Sequence, residues 1–259
     1  MDPGTLLGVV IAIVSVLAML ILEGGEVGSI LLIPALLVVF GGSIGAAMAG
    51  GGMKDFTAGF ARVKTALFYK NPPNDDTVRT LVGFAERARR DGLLALEETA
   101  RSIDDPFLRK GIELAVDGTD PEELRDIMEA DIQARRAEHQ TGIKLFADMG
   151  GYGPTFGIIG TVLGLIHVLE NLSEPEELGH LIAAAFVATL WGVLSANAIW
   201  LPISKKLKRV SEHDLRRMDM LLEGIMSIQA GSNPRVIEQK LLAFLPARER
   251  AILEAEQAA

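Results

Sequence analysis

Four long stretches of apolar sequence constrain the fold of this chain more than any other feature. The stretches are 6–22, 28–53, 150–169 and 181–204, which contain no Asp, Glu, Lys or Arg and a single histidine, His167. Their lengths run from 17 to 26 residues. About 20 helical residues cross the hydrocarbon of a bilayer, because each residue advances the helix by ~1.5 Å. The sequence therefore predicts four transmembrane helices, of which the first is short enough to need the flanking Gly4 and Thr5 or a thinner bilayer.

The overall composition agrees with this segregation. Of the 259 residues, 49% are hydrophobic and 23% are charged, with a mean hydropathy of +0.30. Such values require apolar and charged residues to occupy separate regions, which is typical of membrane proteins. The absence of cysteine excludes disulfides and Cys-based zinc sites. The net charge of −9 argues against a nucleic-acid partner, which needs a basic surface.

The distribution of basic residues predicts the orientation in the membrane. All 25 Lys and Arg residues lie between 54 and 144 or between 205 and 250. The two short connections at 23–27 and 170–178 contain acidic residues and no basic ones. Basic residues concentrate on the cytoplasmic side of membrane proteins. We therefore expect a multi-pass protein with both termini and the segment 54–149 in the cytoplasm.

The predicted fold class is an all-α membrane protein with a large helical cytoplasmic loop between helices 2 and 3 and a helical C-terminal tail. Residues 85–90 are predicted to end a helix at Gly92, and Asp120–Pro121 to open a helix that ends near His139. Apolar spacing predicts another helix over 204–230. The predicted regions are transmembrane helices 1–2 at 1–53, a cytoplasmic helical region at 54–149, transmembrane helices 3–4 at 150–204, and cytoplasmic C-terminal helices at 205–259.

Two faces of small residues stand out in the third and fourth apolar stretches. The third has glycines at spacings of four, three and four, which place them on one helix face together with Thr161. Small residues allow another helix to approach closely. Two interpretations remain open: packing between helices of one chain, or a face that lines a site shared with a partner. The glycines are Gly153, Gly157, Gly160 and Gly164, and the second face is formed by Ala185, Ala188, Thr189, Gly192 and Ala196.

No carboxylate lies inside any of the four apolar stretches. A charge inside a membrane is costly, so transport proteins usually show the one they use. If this chain moves ions, the carboxylate that carries them must therefore come from another chain. His167 lies near the end of its stretch and is interpreted as an interfacial packing residue. The four histidines are too dispersed for a metal pattern, and neither a metal site nor a catalytic site is predicted.

Three neighbouring segments carry a resemblance to a known family. Residues 153–167 and their continuation over 171–179 and 185–197 resemble the third and fourth membrane helices of bacterial flagellar stator A-subunits, the MotA-like branch of the MotA/TolQ/ExbB superfamily. The resemblance extends over the whole order of spans, whereas TolQ-like and ExbB-like relatives typically have three. It implies a ring of five A-subunits around a dimer of a MotB-like partner, whose membrane aspartate binds the travelling ion. It also implies that the cytoplasmic loop pushes on the rotor protein FliG.

The same resemblance assigns roles to individual residues. Pro154, which we expect to open the third helix, and Pro202, near the cytoplasmic end of the fourth, match prolines that couple ion flow to motion. The alternative for each is an ordinary helix-end proline. Arg89 and Glu97, which flank Gly92, match the family's basic and acidic rotor contacts, and neighbouring Arg90 is expected to share that role. Without the resemblance, these charges would be interpreted as a solvated surface.

The ion pathway is expected to be lined by Thr161 and Thr189 together with Gly157, Gly160 and Gly164. Sodium-driven members of the family resemble this chain in having a hydroxyl at both threonine positions, which favours Na⁺ over H⁺ as the transported ion. In the alternative, Thr161 bonds the carbonyl of Gly157 and only packs.

The predicted function is that of a stator subunit in the bacterial inner membrane. With its partner it forms a cation channel that couples ion flow to torque, without a cofactor. A TolQ/ExbB-like energiser of another envelope machine and a structural scaffold are the alternatives.

Overall fold

The computed structural model describes residues 3–67, 74–173 and 175–257. The structure of this part of the chain is helical, without a β-strand, as predicted. The chain ends, which were predicted to be cytoplasmic, lie outside the described residues. The helices are α1 Pro3–Leu22, α2 Ile33–Leu36, α3 Gly42–Leu67, α4 Asn74–Asp91, α5 Glu97–Ala100, α6 Pro106–Val116, α7 Pro121–Glu170, α8 Pro175–Ser195, α9 Leu201–Gln229, α10 Pro234–Leu242 and α11 Ala247–Gln257.

The chain divides into two compact units. The first, here called the membrane unit, contains Met1–Tyr69 and Glu138–Val210. The second, here called the helical unit, contains Lys70–Ala137 and Ser211–Ala259. Four helical segments of the described chain are long and apolar enough to cross a membrane: Gly4–Leu22, Ile33–Val63, Pro121–Glu170 and Glu176–Gln229.

The second span begins later than its apolar stretch. Val27–Ile30 form a short 3₁₀ turn, and the helix begins at Ile33 with Pro34 in its first turn. A π-helical turn over Leu37–Gly41 separates α2 from α3. α3 kinks at Gly52, whose φ of 80° and ψ of 165° suit glycine alone.

The third span differs most from the prediction. α7 runs for 50 residues from Pro121, so the helix predicted to end near His139 continues into the membrane span. The residues after His139 continue the helical spacing of buried side chains through Leu145, Phe146 and Met149, and no proline interrupts them until 154. The prediction of a separate third helix was therefore wrong at this boundary.

The fourth span also continues past its predicted end. α8 is followed by a π-helical turn at Ala196–Trp200 and then directly by α9. Trp200 packs against Phe40 of the second span, with ring centroids 6.0 Å apart. At the other end, the indole nitrogen of Trp191 donates a hydrogen bond of 2.6 Å to the carbonyl of Ile30. The fourth span thus contacts the second span through Trp200 and the turn that precedes it through Trp191.

The helical unit has a core of its own. Its buried side chains come from seven helices, α4 to α7 and α9 to α11, and from the 3₁₀ turn at 93–96. The most deeply buried include Leu81, Leu96, Ile112, Met128, Leu221, Ile225, Ile237 and Leu241. α9, predicted over 204–230, supplies the central row of these residues. The segment between the second and third spans is thus largely helical, as predicted, and shares a core with the C-terminal helices.

Candidate functional site

The glycine face of α7 packs against α8 of the same chain. A Cβ atom on Gly157 would lie 2.9 Å from the carbonyl oxygen of Ala188 and 3.2 Å from the Cα atoms of Thr189 and Gly192. A Cβ on Gly192 would in turn lie 2.9 Å from the Cα of Gly157. The two backbones therefore touch, which only small residues permit. Of the two interpretations left open by the sequence, close packing within one chain accounts for this part of the glycine face.

The contact continues along the same face of α7. A Cβ on Gly164 would lie 2.7 Å from the Cβ of Ala185. A Cβ on Gly160 would lie 2.6 Å from the Cβ of Ala188 and 2.8 Å from Val38 Cγ1 of the second span. The sequence pattern indicated two of the helices that meet here, but gave no sign that Val38 of a third contacts Gly160.

The two threonines meet at this crossing. Thr161 Oγ1 contacts Thr189 Oγ1 and lies 3.1 Å from the carbonyl oxygens of both Gly157 and Ala185. Both side chains are half-buried. A hydroxyl has one hydrogen to donate, so Thr161 donates to one of these oxygens at a time. The bond to Gly157 considered from the sequence is present, but it is one of three contacts.

The crossing offers neutral oxygen atoms and no charge. Two hydroxyls and two carbonyls can coordinate a small cation or water, but none of them ionises near neutral pH. No Asp or Glu lies within 150–169 or 181–204. Among the described residues, no group of three or more His, Asp or Glu side chains is placed to hold a metal ion. The arrangement can line a path for an ion but cannot neutralise its charge.

Both prolines lie inside continuous helical segments. Pro154 is in the interior of α7, so the expectation that it opens the third helix was wrong, as was the alternative of a helix-end proline. Pro202 is the second residue of α9, immediately after the π-helical turn at 196–200. Proline lacks the N–H that a helix interior uses, and π-helical turns occur where the hydrogen-bond ladder is interrupted. These are positions where the spans are locally weakened.

Arg89, Arg90 and Glu97 lie on the surface around the turn after α4. Gly92 ends that helix, as predicted, by donating its N–H to the carbonyl of Ala88 at 2.9 Å. Its φ of 86° and ψ of 163° are open to glycine alone and lead into the 3₁₀ turn Leu93–Leu96. The sequence predicted that the helix ends at this glycine, and the backbone angles show that a side chain here would strain the turn.

The charged residues around this turn form two separate ion pairs rather than one network. Arg90 forms a forked contact with the carboxylate of Asp91 at 2.9–3.1 Å, and Arg101 lies 3.1 Å from Glu97. The hydrogen bond from Arg90 lowers the pKa of Asp91, and the same bond raises the pKa of Arg90. Within the described chain, Arg89 has no carboxylate partner.

Leu94, at the tip of the same turn, is 73% exposed and was missed by the sequence reasoning. The sequence feature that could have predicted this exposure is its position just after Gly92, in a turn.

Fold and site together define a four-span, all-helical membrane protein in which two spans meet through paired hydroxyls at a glycine-lined crossing. The chain belongs to the MotA/TolQ/ExbB proton channel family, and within it to the motility protein A group. Residues 99–220 match the MotA/TolQ/ExbB proton channel family, and residues 6–92 match the motility protein A N-terminal family.

Known relatives agree with this assignment. The chain is 46% identical to motility protein A of Bacillus subtilis over 167 residues, which cover 64% of this chain and 62% of that relative. It is 32% identical to motility protein A of Aquifex aeolicus over 95% of this chain and 97% of that protein. The fold is similar to a chain of the flagellar MotAB stator complex from Bacillus subtilis, with a TM-score of 0.89 and 36% identity over 96% of this chain and 98% of that chain.

Proposed function

We propose that this chain is the A-type subunit of a flagellar stator and forms a cation channel together with a MotB-like partner. The observation that carries the proposal is the neutral crossing of Thr161 and Thr189 in spans that contain no carboxylate. Such a path lacks the charge that an ion carrier requires, so a second chain must supply an ionisable group. The similarity to a chain of a MotAB complex supports a MotB-like partner as that second chain.

In this proposal the partner's membrane aspartate faces the hydroxyl pair. A sodium ion has to replace its water shell with oxygen ligands, whereas a proton needs only the carboxylate and water. Thr161 and Thr189 supply hydroxyl oxygens, and Gly157 and Ala185 supply carbonyl oxygens beside them. The oxygen count at the crossing favours Na⁺ over H⁺ as the coupling ion.

The remaining parts of the function follow from the family resemblance and the charge distribution. Five copies are proposed to form a ring around a partner dimer in the inner membrane, with both chain ends in the cytoplasm. Arg89, Arg90 and Glu97, exposed around Gly92, are proposed to contact FliG of the rotor. Pro154 and Pro202 interrupt the ladders of two spans and are proposed to be the points where these spans bend during a step.

The alternative of a TolQ/ExbB-like energiser is less well supported. The match of residues 6–92 to the motility protein A N-terminal family covers α1 and the second span. Relatives with three spans lack a counterpart for one of the four candidate spans of this chain. The stator function therefore accounts for more of the structure.

Ion flux into liposomes tests the proposal. The full chain is reconstituted alone, with its partner, or with a partner whose membrane aspartate is replaced by asparagine, and sodium and proton entry are followed with fluorescent dyes. We expect flux only with the unmodified partner, because the chain has no carboxylate of its own at the crossing. Equal flux from the chain alone would refute the shared pathway.

A further inference from the structure

A groove lies between the start of α1 and the end of the fourth apolar stretch, within the membrane unit. Its cavity volume is about 450 Å³. One wall is formed by the small residues Gly4, Gly8 and Ala12, which are spaced four apart and therefore lie on one face of α1 over ~12 Å. A Cβ on Gly8 would meet nothing within 4 Å, so the groove is open at this point.

The other wall becomes basic where the apolar stretch ends. Lys205, Lys206 and Arg209 line the groove, and Lys205 and Arg209 are exposed. Within the described chain, Lys205 and Arg209 have no carboxylate partner, and no carboxylate is among the described residues of the lining. Further along the groove, the lining passes to Ala198, which lies inside the span. The groove therefore has a cationic end and an end of small, mostly apolar residues.

We infer that this groove binds an anionic phospholipid of the leaflet that surrounds it. The headgroup phosphate lies against Lys205, Lys206 and Arg209, and the first part of one acyl chain lies along the glycine wall of α1. Basic pockets between transmembrane helices recognise anionic headgroups, which are the most abundant anions at that depth of a membrane. The charge complementarity favours a lipid over a second helix, because an apolar helix would leave Lys205 and Arg209 without a counter-charge.

Lipid binding to the complete complex tests this inference. The chain is purified with its MotB-like partner in detergent and titrated with phosphatidylglycerol or phosphatidylcholine, and bound lipids are counted by native mass spectrometry. We expect tighter binding of phosphatidylglycerol. Loss of one surface cation weakens attraction to anionic lipid about fivefold, so Lys205→Gln with Arg209→Gln is expected to lower affinity about thirtyfold.

A matched pair of substitutions separates a site from general surface charge. Lys208→Gln with Arg216→Gln removes the same charge from exposed positions of α9 that do not line the groove. This control is expected to change affinity less than twofold. Equal loss in both double variants, or equal binding of the two lipids by the unmodified complex, would overturn the inference.

A steric pair tests the acyl-chain half of the groove without changing charge. Gly8→Leu fills the open space beside α1, whereas Ala18→Leu adds a similar side chain at an exposed position of the same helix outside the groove. We expect at least a tenfold loss of phosphatidylglycerol affinity for Gly8→Leu and none for Ala18→Leu. Dissociation of the complex by Gly8→Leu with unchanged lipid affinity would instead identify the groove as a protein contact.

Discussion

Replacing Gly157 by alanine tests the helix crossing at the centre of the candidate site. The added methyl carbon would lie 2.9 Å from the carbonyl oxygen of Ala188 and 3.2 Å from the Cα atoms of Thr189 and Gly192. These are backbone atoms, which cannot rotate away as a side chain can. The two helices must therefore separate by a few tenths of an ångström, which also loosens the contact between Thr161 and Thr189.

The expected cost can be separated from the effect of alanine on the helix itself. Forcing a methyl into a packed contact costs about 1–3 kcal/mol, whereas Gly→Ala inside a helix contributes up to about 1 kcal/mol of stability. Gly151→Ala is the matched control, because Gly151 is in the same helix, is exposed, and has nothing within 4 Å of the added carbon. The difference between the two variants isolates the packing cost, so Gly157→Ala should be less stable than Gly151→Ala by about 1–3 kcal/mol.

Reversible unfolding of the full chain in bicelles, monitored by Trp191 and Trp200 fluorescence, measures this difference. Both indoles lie in the fourth span, which includes α8 of the crossing, and they are the chain's two tryptophans. Swimming speed in a strain that expresses each variant gives the functional counterpart, and only Gly157→Ala should reduce it. Equal stability of the two variants would refute the close backbone contact and the argument built on it.

Three further predictions concern the ion, the rotor contact and the helical unit. In potassium medium at fixed pH, we expect swimming speed to rise with added sodium for the native chain and to lose this dependence in Thr161→Ala, which removes one oxygen ligand. Reversing the charges of Arg89 and Glu97 together should slow swimming more than either single reversal, because each charge is proposed to face an opposite one on FliG. Burial raises the pKa of Asp219, an effect that Arg136 partly offsets. The native state therefore loses stability as pH rises through that raised pKa, and Asp219→Asn should stabilise the chain at neutral pH but not at acidic pH, measured by unfolding.

Each of these has a control and a contradicting outcome. Speed of the native motor that is indifferent to sodium would leave protons as the coupling ion. Reversal of Arg125 and Glu129, an exposed pair 3.6 Å apart elsewhere on the surface of α7, should leave swimming unchanged. Normal swimming after the double reversal at the turn would remove those residues from the rotor contact. For Asp219→Asn, a gain in stability that is the same at neutral and at acidic pH would show that the burial of a charged carboxylate is not its cause.

The sequence alone determined which parts of the chain enter the membrane and what they lack. Charge segregation identified the four spans, because a buried charge is costly and the apolar stretches exclude Asp, Glu, Lys and Arg. The same argument required an outside carboxylate for ion transport before any contact was known. The end of α4 at Gly92 was also predicted from the sequence. Helices often end at a glycine, because the residue after the last turn takes a positive φ that side chains disfavour.

Only the tertiary structure decided where the third helix begins and what its glycine face contacts. A change from charged to apolar residues does not end a helix, since charged and apolar residues both form one, so α7 continues from Pro121 past Pro154. Helical periodicity places Gly157 and Thr161 on one face but does not identify the surface opposite. That surface lies 24 to 32 residues later in the chain, at Ala185, Ala188 and Thr189, and only the folding of α8 against α7 brings it into contact.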